Sequence, residues 1–328
     1  MKIGIVGCGA LGGYYGGRLS QAGHSVHCLL RSDYGHVSRH GIRVTSPQGN
    51  FHFQPRSANQ PEAIGACDLV LITLKTTAND RLPELVTPLV GPHTAVICLQ
   101  NGLGNLERLN TFLPLDQLLG GLCFICVNRT APGEIVHLDH GQIVLGEARD
   151  WPEPRTHDLA TLFRNAGIPA KVTSTLRQAQ WEKLVWNIPF NGLGVVGSLG
   201  YPYFTSNTEA LPTSRQTCLA TDQLLANPDW HHTVKQLMLE IIAIANALGY
   251  PVKEDLADRM ITNTYSMKAY RPSTVIDYEV GRPLEFQSIF AEPLAQAQKT
   301  NVAAPILARV CGIMRRLIDD NDRKNSHG

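Results

Sequence analysis

No stretch of this chain reaches the about 18 consecutive apolar residues that a membrane-spanning helix needs, so no transmembrane role is expected. Nor is there an excess of one charge: the 328 residues sum to a formal +1 with 17% charged side chains. The basic residues are scattered rather than gathered into a stripe, which argues against nucleic acid or an anionic membrane surface as partner. A small molecule is expected instead. Metal-ligand spacing is missing too. His137 and His140 lie close in sequence, but Asp139 and Gly141 beside them read as a turn, and no second acidic or cysteine cluster completes a set. No metal is expected. No secretory signal is read before the first strand, and the eight cysteines (Cys8, Cys28, Cys67, Cys98, Cys123, Cys126, Cys218, Cys311) mostly sit in apolar, strand-like runs. They read as reduced thiols of a cytoplasmic protein. Cys123 and Cys126 form a C-x-x-C, but on a strand their sulfurs would point to opposite faces, so packing is the expected role.

What is present is an ordinary globular composition, 43% hydrophobic over a length that suggests two domains. Residues 2–6 are β-branched enough for a buried strand, and Gly7-Cys8-Gly9-Ala10-Leu11-Gly12 follows at once with a helical pattern behind it to about Ala22, capped by Gly23. This is G-x-G-x-x-G in its required strand-turn-helix context. Gly7 permits the tight turn, Gly9 lets backbone approach a pyrophosphate, Gly12 allows close helix-strand packing, and the helix N-terminus offers amide donors to phosphate. Residues 25–30 read as the second strand. Arg31 at its end favours NADPH, whose 2′-phosphate an arginine accommodates; Asp33, two residues on, could instead serve the ribose of NADH.

Residues 41–56 alternate around Pro47-Gln48-Gly49-Asn50 and suggest a small hairpin. Strand 68–74 ends at Lys75 and strand 95–99 at Gln100-Asn101-Gly102. Carboxyl ends of strands are where ligands bind in a doubly wound sheet, so Lys75 and Asn101 are candidates for cofactor or substrate. A strand over 118–127, two short runs at 135–137 and 142–146, a helix over 157–166 and a strand near 169–173 complete an α/β domain over residues 1–174. Strand signals then vanish. Helical ones follow at 234–248, 254–269, 283–299 and 304–318, which makes residues 175–328 an all-helical second domain. Residues 201–229 are less regular and read as an insertion, and the polar end beyond Ile318 reads as frayed. The second domain opens with Lys183, Asn187 and Asn191 at four-residue intervals among Trp181, Leu184, Val185, Trp186, Ile188 and Phe190. Such spacing puts the lysine and two carboxamides on one helix face, provided that Pro189 does not kink them apart.

The glycine turn, Lys75 at its strand end, Gln100-Asn101-Gly102, and Lys183 with Asn187 and Asn191 together resemble the ketopantoate reductase family (2-dehydropantoate 2-reductases). The resemblance spans nearly the whole chain: Ser273, Asp277 and Glu285, with Arg282 ahead of the glutamate, match the later family positions, and Pro305 fits near the last helix. It implies a Rossmann domain joined to a helical domain, with the active site in the cleft between them. It further implies hydride transfer from NADPH to the ketone of 2-dehydropantoate, giving (R)-pantoate on the way to pantothenate and coenzyme A. By position, Lys183 resembles the general acid and Glu285 the carboxylate that pairs with it and with a substrate hydroxyl. Asn187 and Asn191 would hold substrate hydroxyls, Ser273 the substrate carboxylate, and Lys75 and Asn101 the cofactor or substrate. The chain departs from the family at Tyr201, where a further asparagine is common, at Gly192, where proline follows the second carboxamide, and at Gln287-Ser288, which replace an Asp-Tyr-like pair. Two other readings stay open: a related NAD(P)-dependent dehydrogenase of another 2-oxo or β-hydroxy acid, and a non-catalytic dinucleotide sensor. The joint presence of Lys183, Ser273 and Glu285 argues against the sensor. A monomer and a homodimer both fit the sequence.

Overall fold

A computed structural model describes residues 1–326. The chain divides into two compact units, Met1–Leu176 and Arg177–Gly328.

In chain order the first unit runs β1 (Lys2–Val6), α1 (Ala10–Gln21), β2 (Ser25–Leu29), α2 (Tyr34–His40), β3 (Ile42–Thr45), β4 (Phe51–Phe53), β5 (Arg56–Ala58), β6 (Cys67–Ile72), α3 (Leu82–Val86), β7 (Val90–Cys98), α4 (Asn105–Leu109), β8 (Leu118–Ala131), β9 (Glu134–Glu147), α5 (Pro154–Asn165) and β10 (Ala170–Val172). All ten strands form one mixed sheet in the order β4-β3-β9-β8-β7-β6-β1-β2-β5, with β10 beside β9. From β5 through β2, β1, β6 and β7 to β8 every pairing is parallel, as a Rossmann-type sheet requires. Ile3, Ile5, Leu69, Leu71 and Ile97 on its central strands are wholly buried, which is why those strands read as continuous apolar runs.

The β3–β4 hairpin forms across the expected turn. Its place in the sheet has a consequence: β4 and β5 lie at opposite ends of the strand order, yet only Gln54 and Pro55 separate them. Three Cα steps span at most about 11 Å, so the sheet must curl until its two ends come close, as a half-barrel. The runs expected at 135–137 and 142–146 are one strand. β8 and β9 form a single hairpin of two 14-residue strands. Asp139 to Gly141 are a bulge within it rather than a turn: the register jumps here, and His140 and Gly141 take φ of 64° and 121°. In sequence, the residues that permit positive φ look the same in a bulge and in a turn.

The second unit is helical: α6 (Leu176–Val196), which begins at the boundary residue, then α7 (Tyr201–Thr205), α8 (Thr221–Ala226), α9 (Pro228–Ala247), α10 (Asp255–Tyr265), α11 (Ser273–Glu279), a π-helical turn (Gln287–Ala291), α12 (Glu292–Lys299) and α13 (Pro305–Ser326). No helix among the described residues is long and apolar enough to cross a membrane. Three expectations need correction. The helix expected over 283–299 starts later, leaving Pro283, Leu284 and Glu285 outside it, and its first turn is π-helical. The helix expected to reach residue 269 stops at Tyr265, and Lys268 takes a φ of 55°. The polar end is not frayed where described: α13 continues through it, helped by Lys324 on Asp320 at 2.8 Å, one helical turn apart. Residues 327 and 328 lie outside the described residues. The irregular 201–229 segment is tied down. Arg309 donates to the carbonyls of Tyr203, Phe204 and Ser206, while Arg215 donates to Tyr278 and to Asp320.

Candidate active site

In the first unit the glycine turn is held by what surrounds it. Gly7 adopts a φ of 94°, and a Cβ there would sit 2.6 Å from the backbone nitrogen of Leu74. Only glycine satisfies both conditions. A Cβ at Gly12 would lie 2.8 Å from Ile5, so α1 packs directly on β1. At Gly9 a Cβ would meet nothing nearer than the Gly7 carbonyl at 4.0 Å, so the loop backbone is open on that side. The Cys8 side chain between the two glycines turns inward, its sulfur 2.9 Å from that of Cys28 on β2. Burial pushes the Cys28 thiol up. Thr73, just past β6, donates to the Gly7 carbonyl at 2.6 Å and so fastens the turn to the neighbouring strand. This open, glycine-lined helix N-terminus fits a dinucleotide pyrophosphate.

Arg31, just past β2, is exposed, whereas Asp33 is buried at 6%. Lys75 is exposed at the start of a 3₁₀ turn (Thr76–Arg81). The two strand-end clusters are joined by a chain of carboxamides. Gln100 donates to the Leu74 carbonyl at 3.0 Å and to Asn79 at 2.8 Å; Asn79 donates to Asn105 at 3.0 Å; Asn105 donates to the Asn101 carbonyl at 3.0 Å. These bonds set the backbone that carries Lys75 and Asn101. Thr73, Asn79 and Asn105 were not singled out by sequence, since their role depends on pairing between segments up to 66 residues apart. His137, 2% exposed, sits between the Ser46 hydroxyl at 2.8 Å and the Asp139 carbonyl at 3.0 Å, and burial lowers its pKa. Among the described residues no three His, Cys, Asp or Glu side chains gather as a metal site.

In the second unit α6 runs unbroken through Pro189, which keeps Lys183, Asn187 and Asn191 in helical register. Trp181, Leu184, Val185, Ile188 and Phe190 bury the other faces. Trp186 anchors α6 to α10 by its indole, which donates to Thr264 at 2.9 Å. The polar stripe is graded. Lys183 and Asn187 are half-buried, but Asn191 is 3% exposed, and its carboxamide is engaged within the protein. Its Nδ2 donates to the Asn187 carbonyl at 2.8 Å, and its Oδ1 accepts the Thr274 backbone N–H at 3.0 Å. Asn191 therefore holds the first turn of α11, where Ser273 stands exposed as the first residue.

Asp277 in α11 is buried and pairs with the Arg282 guanidinium at 3.1 Å, while its carbonyl accepts the Arg282 N–H at 2.8 Å. That double link fixes the bend leading to Glu285, which is 8% exposed and lies two residues before the π-helical turn. Single π turns recur at functional sites because they re-aim side chains. Two departures from the family pattern acquire packing reasons. A Cβ at Gly192 would lie 2.8 Å from Val310 and 2.9 Å from Phe290, so a side chain there would push α6 off its neighbours. Tyr201 lies edge-on to Trp230 with ring centres 4.8 Å apart and bonds Thr233 at 3.2 Å.

Residues 3–150 match the family model described as ketopantoate reductase PanE/ApbA, and residues 204–317 match the model of that family's C-terminal part. The second match includes most of the irregular segment. A 2-dehydropantoate 2-reductase from Nostoc sp. is 40% identical over 314 residues, 93% of this chain and 91% of the relative. The crystal structure of a 2-dehydropantoate 2-reductase from Geobacter metallireducens aligns with a TM-score of 0.87 at 40% identity, over 98% of this chain and 99% of that one. A D-mandelate dehydrogenase solved with NADH and anilino(oxo)acetate shares the fold, with a TM-score of 0.85 at 17% identity over 98% and 99% of the two chains.

Proposed function

The chain belongs to the ketopantoate reductase family, and from that premise we propose that it is an NADPH-dependent 2-dehydropantoate 2-reductase, converting the ketone of 2-dehydropantoate to (R)-pantoate. The observation that carries this reading is the 40% identity to a 2-dehydropantoate 2-reductase along 93% of the chain.

NADPH, when bound, supplies the hydride. The glycine turn from Gly7 to Gly12 would hold its pyrophosphate, with Cys8, Ala10 and Leu11 contributing backbone; Arg31 would meet the 2′-phosphate, and Lys75 and Asn101 would serve the nucleotide or the substrate. The exposure of Arg31 beside a buried Asp33 supports NADPH over NADH. Negative charge grows on the ketone oxygen as its carbon is reduced, and the Lys183 ammonium stabilises that charge and donates the proton. Lysine suits this step because arginine scarcely releases a proton. Glu285 pairs with Lys183 and a substrate hydroxyl, Asn187 takes a hydroxyl without adding charge, and Ser273 receives the carboxylate. Asn191 stands behind them, holding Ser273 through α11. All eight cysteines are free thiols, which supports a cytoplasmic setting.

The deciding assay is steady-state turnover of ketopantoate against a panel of 2-oxo acids, each with NADPH and with NADH. The highest kcat/KM is expected for ketopantoate with NADPH. A higher value with another 2-oxo acid would favour a related dehydrogenase, a reading supported by the departures at Gly192, Tyr201 and Gln287-Ser288. Failure to oxidise NADPH with every acid would favour a dinucleotide sensor.

A further inference from the structure

We propose that Arg129 sets the preference for a 2′-phosphorylated cofactor indirectly, by holding the carboxylate of Asp33 away from the ribose site at the end of β2. The inference rests on the reading that Arg31 meets the 2′-phosphate. An acidic side chain just past this strand ordinarily accepts hydrogen bonds from the ribose hydroxyls and repels a 2′-phosphate. This chain carries such a residue, Asp33, beside the arginine that would bind the phosphate, so the two would oppose each other unless one is withdrawn.

Asp33 is withdrawn. It is 6% exposed, one carboxylate oxygen accepts from Arg129 and the other accepts the Ser32 hydroxyl at 3.0 Å. Its backbone is fixed as well: the Asp33 carbonyl accepts from His36 at 3.1 Å and Val37 at 2.8 Å as α2 begins. Arg129 comes from the far part of the β8–β9 hairpin, 96 residues away in sequence, and the pairing of β9 with β3, the strand that follows α2, together with the Arg43 N–H bond to the Gly133 carbonyl at 2.8 Å, sets that hairpin beside α2. Arg31 is left exposed, and the acid two residues on is already paired. Removing Arg129 would strand a buried carboxylate, which is costly enough that the side chain would turn outward, towards the ribose.

The test measures NADP⁺ and NAD⁺ binding to the whole protein by calorimetry, with thermal unfolding of each variant alongside. Arg129→Gln should lower the ratio of NADP⁺ to NAD⁺ affinity by about tenfold, the scale of one charge-assisted contact. Adding Asp33→Asn to that variant should restore the wild-type ratio, Asp33→Asn alone should preserve it, and Arg129→Lys should retain most of it. Arg129→Met, which keeps the aliphatic stem, replaces the glutamine variant should that one not fold. An unchanged ratio in Arg129→Gln, while Arg31→Ala lowers it, overturns the inference and leaves the cofactor reading intact. A lowered ratio that Asp33→Asn does not rescue also overturns it, because Arg129 would then meet the phosphate itself. Equal weakening of both nucleotides would reduce the pair to a structural clasp. If Arg31→Ala leaves the ratio untouched, the reading of the β2 end falls, and the inference with it.

Discussion

The two units hold their candidate residues by different means. In the first, backbone conformation makes the candidate site: a left-handed glycine, an open helix start and strand ends laced by carboxamides, with Cys8 turned away into the core. In the second, side chains make it, on a helix whose apolar residues are mostly buried and on a bend pinned by Asp277 and Arg282. A backbone site tolerates almost any side chain at its x positions and almost none at Gly7 or Gly12. A side-chain site depends on a few groups and on the residues that aim them, so neighbours of the same type can have different work. Lys183 and Asn187 are half-buried, whereas Asn191, one turn on, is a strut.

That contrast can be broken or sharpened by substitution. The largest effect is expected from Lys183→Ala, which should lose at least about 100-fold in kcat, the scale of a positioned acid, while calorimetry still finds NADPH bound to the first unit. Near-normal turnover would take the proton donor away from the side-chain half. Next, Asn191→Ala should strand the buried Thr274 N–H and cost about 1–3 kcal/mol of stability in urea unfolding. It should also raise KM more than it lowers kcat, since α11 carries Ser273; a variant as stable as the wild type would mean that Asn191 is no strut. Arg31→Ala should weaken NADPH by about tenfold and NADH little, measured by binding; equal weakening would deny Arg31 the 2′-phosphate. The smallest effect concerns His137, which packs on Tyr14 of α1 with ring centres 4.5 Å apart. Burial holds its imidazole below the ordinary value of 6.5, so the folded state takes up a proton less readily than the unfolded one. Stability from this group is present above about pH 6.5 and lost as pH falls below it. His137→Gln should therefore flatten the fall in Tm between about pH 7 and pH 5, and an unchanged slope would remove His137 from the acid sensitivity.

Local chemistry made much of the fold readable. The glycines at 7, 9 and 12 are legible by their spacing between a strand and a helix, and the apolar strands announce themselves because both faces are covered. Lys183 and Asn187 were visible because four-residue spacing is a helical period. The bulge at His140 and Gly141 was not, since it uses the residues a turn would use. Nor was the π turn after Glu285, because Gln287 to Ala291 carry no sign of an inserted residue. The extension of α13 was hidden by its polarity, although Asp320 and Lys324 stand at helical spacing.

The sequence by itself determined that this chain has a dinucleotide turn, a parallel sheet behind it, a helical second unit and a lysine-carboxamide face. These follow from periodicity and from steric rules that act over a few residues. Only the tertiary structure decided which polar groups are still presented for binding. Asn191 is committed to a backbone amide 83 residues away and Asp33 to an arginine 96 residues away. Such commitments arise because a buried polar group must be paired, and its partner is chosen by the folding of the sheet and the helices rather than by spacing along the chain.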